Sequence, residues 1–276
     1  MNFGGYSSRR VLHIALHTGR EAVRQRVFAF LVVLALALVL GAHALRDLHF
    51  GSPELKFIAD LGTGAMALFG AVLSVVATAK LFFDEIEHGT LLTLLAKPVC
   101  RGEVIVGKYL GMAVITAAFC GLLTVVLAGV LWARESSLMR EYPETFADGR
   151  LINYGHLVAE GFAQWLKLAV LGALTLLVAS FAESQLFTVV MAFALFVICH
   201  LQYLARDVSA RSGNPVTGIV AASVGLLLPN LQLFHFDGTT GGDFPWAQLA
   251  TLSSYALGYI TAACGLAVVS FRRREI

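Results

Sequence analysis

Hydrophobic residues in this chain fall into long unbroken runs, with the polar residues gathered in the intervals between them. Residues 27–45, 58–79, 109–132, 162–181, 186–204 and 253–271 are each apolar over the ~20 residues that an α-helix needs to cross the ~30 Å hydrocarbon core of a bilayer. The runs are continuous rather than alternating, which is the pattern of helices and not of a transmembrane β-barrel. The pattern predicts an all-α membrane protein, with residues 1–276 forming one transmembrane domain of six spans.

The intervals have patterns of their own. In residues 7–26, Val11, Leu12, Ala15 and Leu16 recur at helical spacing, Ala22 and Val23 continue the face, and Arg9, Arg10, Arg20, Arg24 and Arg26 surround it. That is a basic helix lying in the membrane interface. Asp60 sits near one end of the second run, where it either lines a pathway or lies in the headgroup layer. Residues 133–161 read as a polar loop, followed by a mildly amphipathic segment over 156–167 in which Trp165 and Lys167 fit interfacial anchors. Residues 182–185 read as a tight turn. The long interval 206–252 contains a 13-residue apolar run, 216–228, between Pro215 and Pro229. It is too short to span, so it either re-enters the bilayer or lies on its surface.

Composition agrees with this layout: 58% of residues are hydrophobic, only 14% are charged, and the mean hydropathy is +0.76. Six spans put both termini on one side. That side then carries 12 Lys and Arg against 8 on the other, while the acids divide 7 to 11. The positive-inside rule places both termini in the cytoplasm. Ala42-His43-Ala44 resembles a signal-peptidase site, but the preceding apolar run of 19 residues exceeds the ~7–15 of a signal core. Cys100, Cys120, Cys199 and Cys264 are scattered with no metal-binding spacing, and His13 and His17 share a helix face without further ligands.

Sites of chemistry are few. Gly102 to Lys108 matches GxxxxGK, but Tyr109 stands where a phosphate loop needs Ser or Thr for Mg²⁺. There is no HExxH or GxSxG run. His200 with Gln202 is the most polar cluster inside a span, and at such a position it fits helix packing better than catalysis.

The most organised interval is 83–108. Asp84, Glu85 and Glu87 precede Gly89 and Thr90, and Thr90 can cap a helix whose first turn favours negative charge. Leu91, Leu92, Leu94, Leu95 and Ala96 make about two turns, Lys97 sits at the negative end, and Pro98 stops the helix. Arg101 opens a second helix leading into the third span, where Gly107 and Gly111 form a GxxxG that permits close helix approach. By its physics the short leucine-faced helix fits a groove on a partner and fits the headgroup layer equally.

The run EHGTLLTLLAKPVCRGEVIVGKYLG, Glu87 to Gly111, resembles the first cytoplasmic loop of ABC-2 type transporter permeases, which commonly carry ExGTLxxLLxxPVxRxxxxxGK there. His88 departs from the acidic or basic residue often found beside the glycine. The layout is also similar to the small single-subunit permeases, the NosY-like type among them. The resemblance implies an exporter subunit of a bacterial inner membrane, without catalytic residues, metal, cofactor or nucleic acid of its own. Two permease chains, identical or related, would pair in the lipid bilayer, each bound to a separate ABC ATPase subunit that holds ATP and Mg²⁺. Glu85, Glu87, His88, Gly89, Thr90, Leu91, Leu92, Leu94, Leu95, Lys97, Pro98 and Arg101 would engage that ATPase, residues 7–26 would be the elbow helix, and 216–228 a re-entrant element near the outer gate. Two other classes have discriminators. A non-transporting anchor that passes force to an extracytoplasmic partner would lack a substrate cavity, and an intramembrane enzyme would need a convergent polar site.

Overall fold

The computed structural model describes residues 8–41, 54–87, 101–141, 151–212, 225, 228–235 and 244–273. They form seven helices and one 3-10 turn: α1 Ser8–Val23, α2 Arg26–Gly41, α3 Glu54–Glu87, α4 Arg101–Glu141, α5 Tyr154–Phe181, α6 Gln185–Ser212, the turn Leu231–Phe234, and α7 Trp246–Arg273. Helices α3 to α7 are long and apolar enough to cross a membrane. The pair α1 and α2, bent by 65° at their junction, makes a sixth candidate.

Helix α5 is the axis of the bundle. It packs against α3, α4, α6, α7 and the 3-10 turn. Of its most apolar window 83% is buried, against 22% for α6 and for α7, whose outer faces are left to lipid or another chain. Close packing in hydrocarbon relies on small residues and interhelical hydrogen bonds rather than on water exclusion. Accordingly, Leu168 of α5 lies over Gly70 of α3, Thr124 of α4 lies over Gly161 of α5, and Ser74 Oγ of α3 donates to the Leu168 carbonyl at 3.0 Å.

The helices outrun the apolar runs that announce them. Residues 133–141 continue α4, and α5 begins at Tyr154, so much of the expected loop 133–161 is helical. The polar groups in these extensions have partners. Arg134 bonds the Glu54 carboxylate at 2.5 and 3.0 Å, fastening α4 to the start of α3. Buried Glu135 accepts from the backbone N–H groups of Leu151 and Ile152 at 2.9 and 3.2 Å and from the Tyr154 hydroxyl at 2.7 Å. Asn153 caps α5 through the N–H groups of Gly155 and His156. A carboxylate holding three donors contributes more than a neutral hydrogen bond. Glu135→Ala is therefore expected to cost about 2 kcal/mol, read as a fall of roughly 4–8 °C in the thermal midpoint of the purified protein.

The earlier start of α5 also corrects one expectation. Lys167 is not an interfacial anchor at a span's edge; it lies in the middle of a 28-residue helix and is 4% exposed. Trp165 donates to the Ala113 carbonyl at 2.9 Å, inside the bundle. Asp60, by contrast, is exposed in the second turn of α3.

Candidate functional site

Of the residues expected to engage a partner, His88, Gly89, Thr90, Leu91, Leu92, Leu94, Leu95, Lys97 and Pro98 lie outside the described residues. What is described are the two roots of that loop. Glu85 and Glu87 are in the last turn of α3, and Arg101 is the first residue of α4.

Between the roots the chain builds an aromatic knot. Phe82 and Phe83, at the end of α3, and Phe271, at the end of α7, are buried together with Ile105 of α4 and Leu176, Val178 and Ala179 of α5. The Phe82 ring meets Phe83 and Phe271 edge to face, with centroids 5.6 and 5.7 Å away, a geometry the ring quadrupoles favour. Lys108 of α4, itself buried, donates to the Leu81 carbonyl at 2.5 Å and lies 5.4 Å from the Phe82 ring centroid. Cation, carbonyl and ring thus join the end of α3 to the start of α4.

Helix α1 is clamped to the same root. Val11, Ala15, Thr18 and Ala22, at helical spacing, form its buried face, while Leu12 and Leu16, on the apolar face read for an interfacial helix, are 59% and 51% exposed. Gly107 and Gly111 account for the closeness: a Cβ at Gly107 would stand 2.7 Å from Ile14 Cγ2, and one at Gly111 would stand 2.6 Å from the Ala15 carbonyl oxygen. Arg10 closes the contact with an ion pair to fully buried Glu103 at 3.1 Å. His17 faces Glu21 at 3.9 Å, and among the described residues no group of three His, Cys, Asp or Glu could hold a metal ion.

Residues 12–276 match the family of ABC-2 family transporter proteins. The chain belongs to that family. It is thus a multi-pass membrane protein and the permease subunit of an ABC transporter. No curated protein matches the chain significantly.

In this ABC-2 permease the GxxxxGK-spaced residues Gly102 to Lys108 are continuous helix rather than a loop. Lys108 is committed to Leu81. Sequence reasoning passed over Phe82, Glu103 and Phe271, and weighed Lys108 only as the lysine of the GxxxxGK match. The available signal was their place beside the loop, charged or aromatic residues flanking it at the ends of apolar runs.

At the other end of the bundle most of 216–228 lies outside the described residues, except Gly225 and Leu228. The Leu228 carbonyl accepts from Gln202 Nε2 at 3.3 Å and from the Tyr259 hydroxyl at 3.4 Å, and the Asn230 N–H donates to the Tyr255 hydroxyl at 2.8 Å. Non-helical backbone among apolar helices needs such partners. Gln202, grouped in sequence with His200, serves this break.

Proposed function

We propose that this permease works as the export subunit of an ABC-2 transporter and is driven through residues 87–98 by a separate ATPase subunit. Its termini face the cytoplasm of a bacterial cell, ATP and Mg²⁺ bind only in the ATPase, and a second permease chain completes the pathway. The observation that carries this reading is the knot of Phe82, Phe83, Lys108, Ile105 and Phe271, into which both roots of the loop run. A push on the loop enters α3 and α4 together and reaches α5 and α7 through one packed cluster, as a rigid close-packed interior requires. The Arg10–Glu103 pair and the glycine contacts carry α1 with them.

The test is copurification of the tagged full-length chain with its ATPase subunit, recognised by ATP hydrolysis and mass spectrometry. Leu95→Asp and Gly89→Asp are expected to lose the ATPase while the chain remains in the membrane fraction. A charge forced into an apolar groove costs about 2–3 kcal/mol, enough for a loss of roughly 30- to 150-fold in affinity. Undiminished recovery of the ATPase with both variants would overturn the docking assignment.

A further inference from the structure

Packing on α4 divides helix α1 into three faces. Val11, Ala15, Thr18 and Ala22 are buried. Leu12, Leu16 and Val23, at i, i+4 and i+11, share a second face, apolar and exposed. Arg9, His13 and Arg20, at i, i+4 and i+11, share a third, exposed and basic, beside the leucines. Arg24, also exposed, continues that row, since its N–H still bonds the Arg20 carbonyl at 3.3 Å. Arg10 is paired with Glu103, and Glu21, the one acid of α1, faces His17 beyond the basic row. Among the described residues Arg9, Arg20 and Arg24 have no ion-pair partner.

The same packing fixes the depth of α1. Arg10 meets Glu103, Ile14 lies against Gly107, and Ala15 and Thr18 lie against Gly111, so the two helices run in the same direction. On α4 the charges of Glu103 and Lys108 give way to the apolar run 109–132. The second half of α1 therefore starts at the boundary between the polar and apolar layers and continues below it. Past the 65° bend, exposed Val27, Phe30 and Val33 of α2 carry the apolar surface onward. At this depth the exposed Leu16 and Val23 have acyl chains to lie on. An arginine below the boundary is costly without a counter-charge. Side chains lean toward a helix N-terminus, which for α1 is the polar side, so the guanidinium groups of Arg20 and Arg24 rise to the headgroup layer. The counter-charge available there is lipid phosphate, which a guanidinium binds through two parallel N–H groups.

We propose that Leu16, Arg20, Val23 and Arg24, at i, i+4, i+7 and i+8, form a binding site for an anionic phospholipid. Arg20 and Arg24 hold its phosphate, Leu16 and Val23 lie along its acyl chain, and Arg9 with Leu12 extends the patch outward. This goes beyond an interfacial position, which any lipid satisfies, because the arginine row selects lipids by net charge. A zwitterionic headgroup brings its own ammonium to the same guanidinium groups and gains less. The site rests on membrane insertion of the chain and not on docking of an ATPase, so failure of the Leu95→Asp test leaves it standing, and the reverse.

The full-length protein in detergent is titrated with phosphatidylglycerol or phosphatidylcholine in mixed micelles. The thermal midpoint is read, and native mass spectrometry counts bound lipid. Phosphatidylglycerol is expected to raise the midpoint saturably and to bind the wild type roughly 30-fold more tightly than phosphatidylcholine, at about 5-fold for each of the two arginines. Arg20→Gln combined with Arg24→Gln is expected to remove that preference. Arg140→Gln, exposed in the last turn of α4, is expected to keep it. Salt at 1 M, where the Debye length is about 3 Å, should shrink it in the wild type. Equal binding of the two lipids by the wild type, or an undiminished preference in the double variant, overturns the proposal. So does a face covered by a second copy of the chain, seen as Leu16→Ser splitting a dimer in the native spectra with no change in bound lipid. If the double variant does not fold, Arg20→Gln and Arg24→Gln taken singly, each expected to lose about 5-fold, decide it.

Discussion

Gly111→Leu is expected to pull α1 off the bundle and to lower stability by about 3–5 kcal/mol, above the ~1–3 kcal/mol of ordinary overpacking. The reason is what the new side chain would meet. A Cβ at Gly111 would stand 2.6 Å from the Ala15 carbonyl oxygen and 2.8 Å from Thr18 Cβ. A backbone carbonyl cannot rotate away as a side chain can, so the whole of α1 has to move. With it goes the packing of Val11, Ala15, Thr18 and Ala22, and the geometry of the Arg10–Glu103 pair. Gly111→Ala should fall between wild type and Gly111→Leu, because one methyl already reaches the carbonyl. Gly258→Leu is the control, since nothing lies within 4 Å of a Cβ there. The thermal midpoint should drop by roughly 10 °C for Gly111→Leu and stay near wild type for Gly258→Leu. Trypsin cleavage after Arg20 and Arg24 should quicken only in the first. A Gly111→Leu protein with the wild-type midpoint and wild-type cleavage would show that α1 is not held by this contact.

The architecture was legible because its cause is written in bulk. Six apolar runs of spanning length leave few alternatives to a helical bundle, and the GxxxG pair at Gly107 and Gly111 marks a place where helices come close. Helix ends were less legible, because hydropathy stops where helices do not. Glu135 and Arg134 read as loop residues by charge, yet they sit on α4 and use that charge to hold the Ile152 and Glu54 segments. Glu160 was counted with a loop for the same reason, and Lys167 with an interface. The stripe of Glu160, Gln164 and Lys167 was nonetheless present as an i, i+4, i+7 repeat, and a period of 3.6 read through the charges, rather than broken at them, extends α5 back to its cap at Asn153. The knot was harder to foresee. Phe82 and Phe271 are 189 residues apart in sequence, and only the return of α7 to the end of α3 brings them within 5.7 Å.

Phe271→Ala is expected to be the most damaging single truncation near the loop. The ring is fully buried, touches Phe82 edge to face, and packs the end of α7 into the cluster with α3, α4 and α5. Removing a buried phenylalanine typically costs about 3–5 kcal/mol, from lost transfer energy and the cavity left behind. Phe82→Ala should cost a similar amount, again leaving a hole, since Phe82 also packs on Phe83 and lies beside Lys108. The two effects should not add. Double truncation is expected to recover about 1 kcal/mol of the summed loss, the share that belongs to the ring pair itself. Thermal or denaturant unfolding of the two single variants and the double variant in the same detergent gives that coupling energy directly. Under the proposed function the same substitution has a second signature. Phe271→Ala leaves residues 87–98 untouched, so the ATPase should still copurify, while nucleotide-dependent protection of α7 against hydrogen exchange should fall relative to that of α3. Additive stability effects would show that the rings do not act as a pair, and unchanged exchange in α7 would show that the push from the loop reaches that helix by another route, through α4 or α5, which both contact it.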